Sequence, residues 1–267
     1  MQKIYWQAHR GGAYEMPQNT IASIKYGWDL DAIVEVDIRT TKDNKIIILH
    51  NNTLKDTTNA PEEYCDIDVK NLTYEEIYQF DAGVTFDKKY KGERIPLLTD
   101  LFKLMQQNKK RQLYLDLKDV NLKDLANLIK EYKVEEQCIF CHCDISNCIE
   151  IKNYVDIRCM LWIGGSEKEI INKFETIKKS KFFGTNQVQL HLNSQDKEKE
   201  WIYDLSIEFL QYALKETKKY SIDLELFPWE IKENNIKEML DMKFTWFCTD
   251  YPMQFRTILK NYFKKEV

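Results

Sequence analysis

Apolar and polar positions along the chain follow two alternating periods. Short runs rich in β-branched and aromatic residues fall at 4–8, 33–38, 46–50, 112–117, 137–142, 157–162, 186–191, 221–226 and 244–248, and they predict strands. Between most of them, apolar residues recur at helical spacing over 20–29, 99–109, 122–132, 146–154, 167–176, 206–217 and 234–241. Asn19-Thr20 and Asp144-Ile145-Ser146 supply N-caps for the helices they precede. A strand–helix alternation of this kind predicts a parallel sheet covered by helices.

Nine strands exceed the eight of a closed barrel, and the spacing resolves the surplus. Only the turn-like stretch around Lys42-Asp43-Asn44-Lys45 separates 33–38 from 46–50. A parallel crossover needs about a dozen residues, so this pair must be an antiparallel hairpin. Eight strands remain in a chain near the ~250 residues usual for a TIM (β/α)8 barrel, which is the expected α/β architecture. With Asp43-Asn44 as a two-residue turn, Lys42 faces Lys45, Arg39 faces Ile48 and Asp37 faces His50. That register sets a histidine beside a carboxylate at the C-terminal end of the second barrel strand, where such barrels place their sites.

Composition narrows the classes. The 267 residues carry 39 Lys+Arg against 43 Asp+Glu, a net charge of −4, which gives no general attraction for nucleic acid. A hydrophobic fraction of 43% is enough for a sizeable core. No apolar run approaches the ~18 residues of a membrane span, and no secretory leader is expected at the N-terminus. Seven unevenly spaced cysteines suit reduced thiols and a cytoplasmic setting. No internal repeat or linker is evident, so one domain over 1–267 is expected. The polar run 194–200 reads as a loop or a helix start.

Chemistry-bearing residues gather on the first three barrel strands. His9-Arg10-Gly11-Gly12 closes the first, offering a proton-transfer group, an anion contact and a flexible backbone. In Glu35-Val36-Asp37, period two turns both carboxylates to one face and Val34, Val36 and Ile38 to the other. Paired acids inside a barrel call for a cation or basic side chains, and oxygen-only ligands suit Mg²⁺ or Ca²⁺. An ion pair with Arg10 or Lys118 is the plainer reading. On the third strand Tyr114, Asp116 and Lys118 share a face, adding a carboxylate and a phosphate-neutralising charge. Two histidines, three acids, one arginine and one lysine together suit phosphodiester cleavage.

These residues stand in ordered motifs. His9-Arg10-Gly11 with Pro17-Gln18-Asn19-Thr20, Glu35-x-Asp37 with Thr41-Lys42-Asp43 and His50, the run 53–59, Ile95-Pro96-Leu97-Leu98 and Cys248-Thr249-Asp250-Tyr251-Pro252 follow one another along the chain. In this pattern the chain resembles the glycerophosphodiester phosphodiesterases over nearly its whole length. The resemblance implies a TIM barrel with a small insertion after the second barrel strand, at about 51–93. It implies metal-dependent hydrolysis of a small-molecule glycerophosphodiester to glycerol 3-phosphate and an alcohol, by way of a cyclic phosphate. His9 and His50 match the acid/base pair, Glu35, Asp37 and Asp116 the ligands of one divalent cation, and Arg10 and Lys118 the phosphate contacts. Trp229-Glu230-Ile231-Lys232 aligns with the family's W-T-V-N, from which Lys232 departs, and the resemblance implies that Trp229 walls the substrate pocket.

Three departures bear on that expectation: Gln18 and Asn51 stand where the family has acids, and Asp116 where it has Glu. Two other readings follow from them and from the insertion. One is a lysophospholipase D-like enzyme, which needs an apolar ramp that an insertion poor in apolar clusters does not offer. The other is a binding-only barrel, disfavoured by the survival of both histidines and of Glu35 and Asp37. Cys138-x-x-Cys141-His142-Cys143 with Cys148 has a zinc-like spacing but lies on a predicted strand, so it reads as structural. His191 is read equally as a substrate contact or a bland residue. Tyr203, Phe209, Tyr212 and Tyr220 read as packing, and Lys260, Lys264 and Lys265 as a solvated helix face.

Overall fold

The computed structural model describes residues 3–264. Strands β1 (Tyr5–Ala8), β2 (Ile33–Thr40), β3 (Ile46–Ile48), β4 (Leu113–Leu117), β5 (Cys138–His142), β6 (Arg158–Ile163), β7 (Gln187–Leu192), β8 (Asp223–Pro228) and β9 (Trp246–Thr249) include every predicted strand. Eight of them pair in parallel around a ring, β1 to β2 and on through β4 to β9, and β1 also pairs with β9 to close the barrel. The ninth, β3, lies antiparallel against β2.

Helices α1 (Ile21–Asp29), α2 (Glu62–Cys65), α3 (Tyr74–Tyr78), α4 (Leu98–Gln106), α5 (Leu122–Tyr132), α6 (Ile145–Ile151), α7 (Glu167–Lys179), α8 (Ile207–Lys218), α9 (Glu233–Asp241) and α10 (Pro252–Lys264) complete the order. Thr20 caps α1 in a capping box with Ser23, and Asp144 caps α6, as the sequence predicts. Strands β8 and β9 begin two residues later than predicted, because 221 and 243 lie in left-handed turns that close the preceding helices. The polar run 194–200 is a loop, bridged at Ser194 to Tyr203.

The two faces of the strands serve two cores. Val34, Val36 and Ile38 join the large core between sheet and helices, whereas Ile33, Tyr114, Ile139, Cys141, Met160 and Trp246 fill the barrel interior. Between β3 and α4 the chain builds a satellite core from Ile47, Leu54, Val69, Ile77, Phe80 and Ile95, beside the barrel. Phe209 and Tyr212 pack on Phe174, Tyr220 on Phe182, and Tyr203 is buried, so these aromatics are packing as expected. Lys260 and Lys264 are exposed on α10, while Lys265 lies outside the described residues.

The hairpin register differs from the expected one by a residue. Ile38 faces Ile48, Arg39 faces Ile47, and Leu49 N–H donates to the Asp37 carbonyl. Thr41 pairs with Lys45 across a three-residue loop in which Asn44 is left-handed at φ 57°. A type I turn followed by a left-handed residue closes a hairpin one residue longer than the two-residue turn assumed from Asp43-Asn44. His50 therefore does not pair with Asp37; it lies beyond the end of β3, where the chain leaves the sheet.

Candidate active site

At the end of β1 the backbone turns sharply through His9–Gly11, with Arg10 left-handed at φ 50°, Gly11 at φ 79° and Gly12 at φ 120°. A Cβ on Gly11 would lie 2.6 Å from Ser23 Oγ, so only glycine fits between this turn and α1. The strained Arg10 backbone, of a kind that costs about 1–3 kcal/mol, aims its N–H at Glu35 Oε2, 2.8 Å away. The turn thus fixes His9, Arg10 and Glu35 relative to one another.

His9, Arg10, Glu35, Asp37, His50, Asp116, Lys118 and Trp229 all line one cavity of about 220 Å³ at the C-terminal ends of the strands. Every residue singled out from the sequence as catalytic, ligating or substrate-binding is brought to it. One carboxylate oxygen each from Glu35, Asp37 and Asp116 lies within 4.8 Å of the others. All three residues are buried. Among the described residues no other group of three His, Cys, Asp or Glu converges in this way, so the cysteines of β5 and α6 make no zinc cluster.

Positive charge surrounds the triad on two sides. Lys118 Nζ lies 3.0 Å from Asp37 Oδ1 and 2.6 Å from Asp116 Oδ2, and Arg10 Nε lies 3.4 Å from Asp37 Oδ2. Asn19, left-handed at φ 58°, donates from Nδ2 to Asp37 Oδ2 at 2.8 Å, and Trp162 Nε1 donates to Asp116 Oδ1 at 3.0 Å. Burial works to raise Asp37, but Lys118 and Arg10 outweigh it and hold the carboxyl down at about 2. At Glu35 the order is reversed: burial and the neighbouring Asp37 charge outweigh His9 and Arg10 and push it up to about 8. Three converging buried carboxylate oxygens fit a hard divalent cation.

Each of the three departing residues is hydrogen-bonded. Gln18 Oε1 accepts from Arg10 Nη1 at 2.9 Å, doing without charge what a carboxylate would do. Asn51 Oδ1 lies 2.9 Å from His50 Nδ1, and its Nδ2 donates to the Lys55 carbonyl, so the amide oxygen faces the ring. Nδ1 of His50 is thereby the protonated nitrogen, which leaves Nε2 with its lone pair. Asp116, although one methylene shorter, still reaches the oxygen cluster. Burial, with Arg10 and Lys118 nearby, lowers His50 below its usual range.

His9 has a different partner. Its Nδ1 lies 2.6 Å from Asp250 Oδ1, and its Nε2 lies 3.9 Å from Glu35 Oε2. Burial opposes protonation of the ring, but the Asp250 hydrogen bond and the Glu35 and Asp250 charges raise it above the usual value. Asp250 was visible in the last motif, yet sequence reasoning assigned it no role; its position at the end of β9 was the available signal. Trp162 and Phe227 were also missed as lining residues. They form an aromatic wall with His191 and Trp229: His191 stacks on Trp162 at 5.4 Å, and Phe227 lies 4.3 Å from Trp229. Burial holds His191 neutral, at about 3, and its Nε2 donates to Gln189 Oε1. His191 thus lines the pocket.

A closed parallel barrel with carboxylates, histidines and cations converging at its C-terminal face defines a TIM-barrel protein with a candidate acid–base and cation site. The chain belongs to the glycerophosphoryl diester phosphodiesterase family, whose model matches residues 9–254. A glycerophosphodiester phosphodiesterase of Caldanaerobacter subterraneus subsp. tengcongensis is 37% identical over 139 residues, 49% of this chain and 55% of that protein. The chain thus spans about half the length of the first curated relatives it matches. The barrel superimposes on a glycerophosphodiester phosphodiesterase from Agrobacterium tumefaciens with a TM-score of 0.76 at 16% identity, covering 95% of this chain and 99% of that one. It superimposes equally fully on an Oleispira antarctica phosphodiesterase in complex with the product sn-glycerol-3-phosphate, with a TM-score of 0.71 at 18% identity and 96% coverage of each chain.

Proposed function

We propose that this protein hydrolyses glycerophosphodiesters to glycerol 3-phosphate and an alcohol. The observation that carries the proposal is the convergence of His9, His50 and the Glu35–Asp37–Asp116 triad on one cavity. Support comes from the family and from relatives that bear this activity in their names. The structural neighbour with bound sn-glycerol-3-phosphate supports the product.

Glu35, Asp37 and Asp116 would hold one Mg²⁺ or Ca²⁺, which when bound supplies charge stabilisation for a phosphoryl oxygen. Arg10 and Lys118 border the same oxygens and offset the charge that grows on phosphorus during displacement. His50, with Nδ1–H spent on Asn51, presents an Nε2 lone pair able to take the proton from an attacking hydroxyl. His9, with Asp250 stabilising its imidazolium, is arranged to give a proton to the departing alcohol. The attacking group is the substrate's own glycerol hydroxyl: an oxygen–phosphorus bond forms, the bond to the alcohol breaks, and a cyclic phosphate results. Water then opens the ring with the two histidines in exchanged roles. Phe227 and Trp229 lie against His9 and shield that side of the centre from solvent.

Water-soluble head-group esters are favoured over single-chain lipids. Ile77 and Phe80 of the insertion are spent on its own satellite core, which leaves Tyr78 and Phe86 as its exposed large side chains. Among the described residues no helix is long and apolar enough to cross a membrane. A cytosolic setting is part of the same reading.

The deciding experiment measures glycerol 3-phosphate release from glycerophosphocholine and glycerophosphoethanolamine with Mg²⁺, Ca²⁺ or EDTA. Release that needs the metal and falls at least about 100-fold in His9→Ala and in His50→Ala is expected. Metal binding without release from any such ester would favour the binding-only barrel.

A further inference from the structure

A second cavity adjoins the active pocket at the barrel mouth. This groove, of about 500 Å³, is lined by Tyr14, Lys197, Trp229, Glu230, Tyr251 and Gln254 among others, and Trp229 belongs to both cavities. Tyr251 follows Asp250, the partner of His9, so the groove opens on the His9 side of the reacting centre. Tyr14 and Tyr251 stack at 5.0 Å with 14° between their planes, and Tyr14 is 63% exposed. An exposed stacked pair offers a ligand an aromatic face at the edge of the site.

The groove carries an ion pair at its rim. Glu230 and Lys232 both stand where the family motif has neutral residues. Glu230 pairs with Lys197 at 2.8 Å, and their side chains are 38% and 68% exposed. Tyr203 Oη donates to the Glu230 backbone carbonyl at 2.6 Å and so anchors the main chain from which the carboxylate extends. Lys232 Nζ donates to the carbonyls of Lys197 and Lys199, so the loop backbone is tethered, while the Lys197 side chain that pairs with Glu230 is the more exposed of the two. Lys197 therefore neutralises Glu230 with a group that another ammonium can replace.

We propose that this groove receives the departing alcohol, and that Glu230 with the rings of Trp229, Tyr14 and Tyr251 selects alcohols bearing an ammonium group. The proposal rests on the hydrolase reading above and names its preferred substrate class. An incoming ammonium takes the place of Lys197 at no net change of charge and gains contact with aromatic faces. A neutral polyol gains neither, and an anionic head group meets Glu230.

The test compares kcat/KM for glycerophosphoethanolamine with that for glycerophosphoglycerol in the wild type, Glu230→Gln and Lys197→Ala. The wild type is expected to prefer the ammonium ester. Glu230→Gln should cut that preference about three- to fivefold through KM, as for a partly exposed charge pair, and Lys197→Ala should increase it. An identical ratio in the wild type and Glu230→Gln overturns the proposal. If neither ester is cleaved by any form, the hydrolase reading fails instead. Calorimetric binding of glycerophosphoethanolamine then decides the groove: weaker binding to Glu230→Gln upholds recognition, and equal binding overturns it.

Discussion

His9 and Asp250, 241 positions apart, meet at 2.6 Å between Nδ1 and Oδ1 where β1 and β9 close the barrel. The carboxylate holds the ring with Nδ1–H toward itself and Nε2 toward the pocket, and it stabilises the imidazolium. Asp250→Asn keeps the shape but lets an amide face Nδ1 and favour the other tautomer. The expected result is a kcat about 10²–10⁴-fold lower with little change in KM, read from glycerol 3-phosphate release.

Asn51 separates a requirement for charge from one for an acceptor. If its oxygen serves to keep Nδ1–H of His50 in place, Asn51→Asp retains kcat within a few-fold, whereas Asn51→Leu loses about tenfold or more. Steady-state kinetics of the two variants checks this. Equal losses in both would show that the contact does not set the tautomer.

Binding of a cation by the three acids should appear as stability. With Mg²⁺ or Ca²⁺ at about 100 times its Kd, unfolding becomes about 2.7 kcal/mol harder, and EDTA removes the gain. Glu35→Gln should abolish this difference while keeping the fold, because burial already favours the uncharged form of that side chain. Thermal unfolding with and without each metal is the measurement.

Glu225 gives the protein a pH-dependent stability away from the acid triad. Buried inside the barrel, with Gln189 Nε2 donating to it at 2.9 Å, it is pushed up to about 8 by burial, and Asp223 adds to the rise. Its unfolded value is about 4.3. Between these values the native state holds a proton that the unfolded chain releases, so stability falls as pH rises through the window. The contribution is complete below about 4.3 and lost above about 8. Glu225→Gln removes this slope, at most about 1.4 kcal/mol per pH unit, and is relatively more stable at alkaline pH. Urea unfolding at pH 5.5 and 8.5 reads the difference.

Tyr114 tests the barrel interior. Its buried hydroxyl donates to Gln187 Oε1 at 2.9 Å. Tyr114→Phe strands that acceptor, and a loss of about 1–3 kcal/mol is expected in denaturant unfolding.

The barrel was legible because its signals are local. Period two on β2 separated Glu35 and Asp37 from Val34, Val36 and Ile38, and the structure sends the first pair to the pocket and the other three to the helix-facing core. Helix α5 lies at 122–132 as its apolar spacing predicts, since Asn121 caps it and a left-handed Lys133 ends it. The hairpin was misread by one residue because a two-residue type I′ turn needs both Asp43 and Asn44 at φ > 0, and only Asn44 adopts it. His50 reached the pocket all the same, carried there by the chain beyond β3.

The sequence alone determined the strand and helix order, the number of barrel strands, and that Glu35 and Asp37 share the inward face of β2. Periodicity and caps are set by neighbours within a few positions. Only the tertiary structure decided which partner each of those groups has: Asp250 for His9, Asn51 for His50, Lys118 and Asn19 for Asp37, Trp162 for Asp116. It also decided that Trp229 is shared by two cavities and that Glu230 faces Lys197. Apart from His50 and its sequence neighbour Asn51, those relationships join residues well separated along the chain. They exist because closing the barrel brings the C-terminal ends of all eight strands to one rim, a geometry that no local pattern specifies.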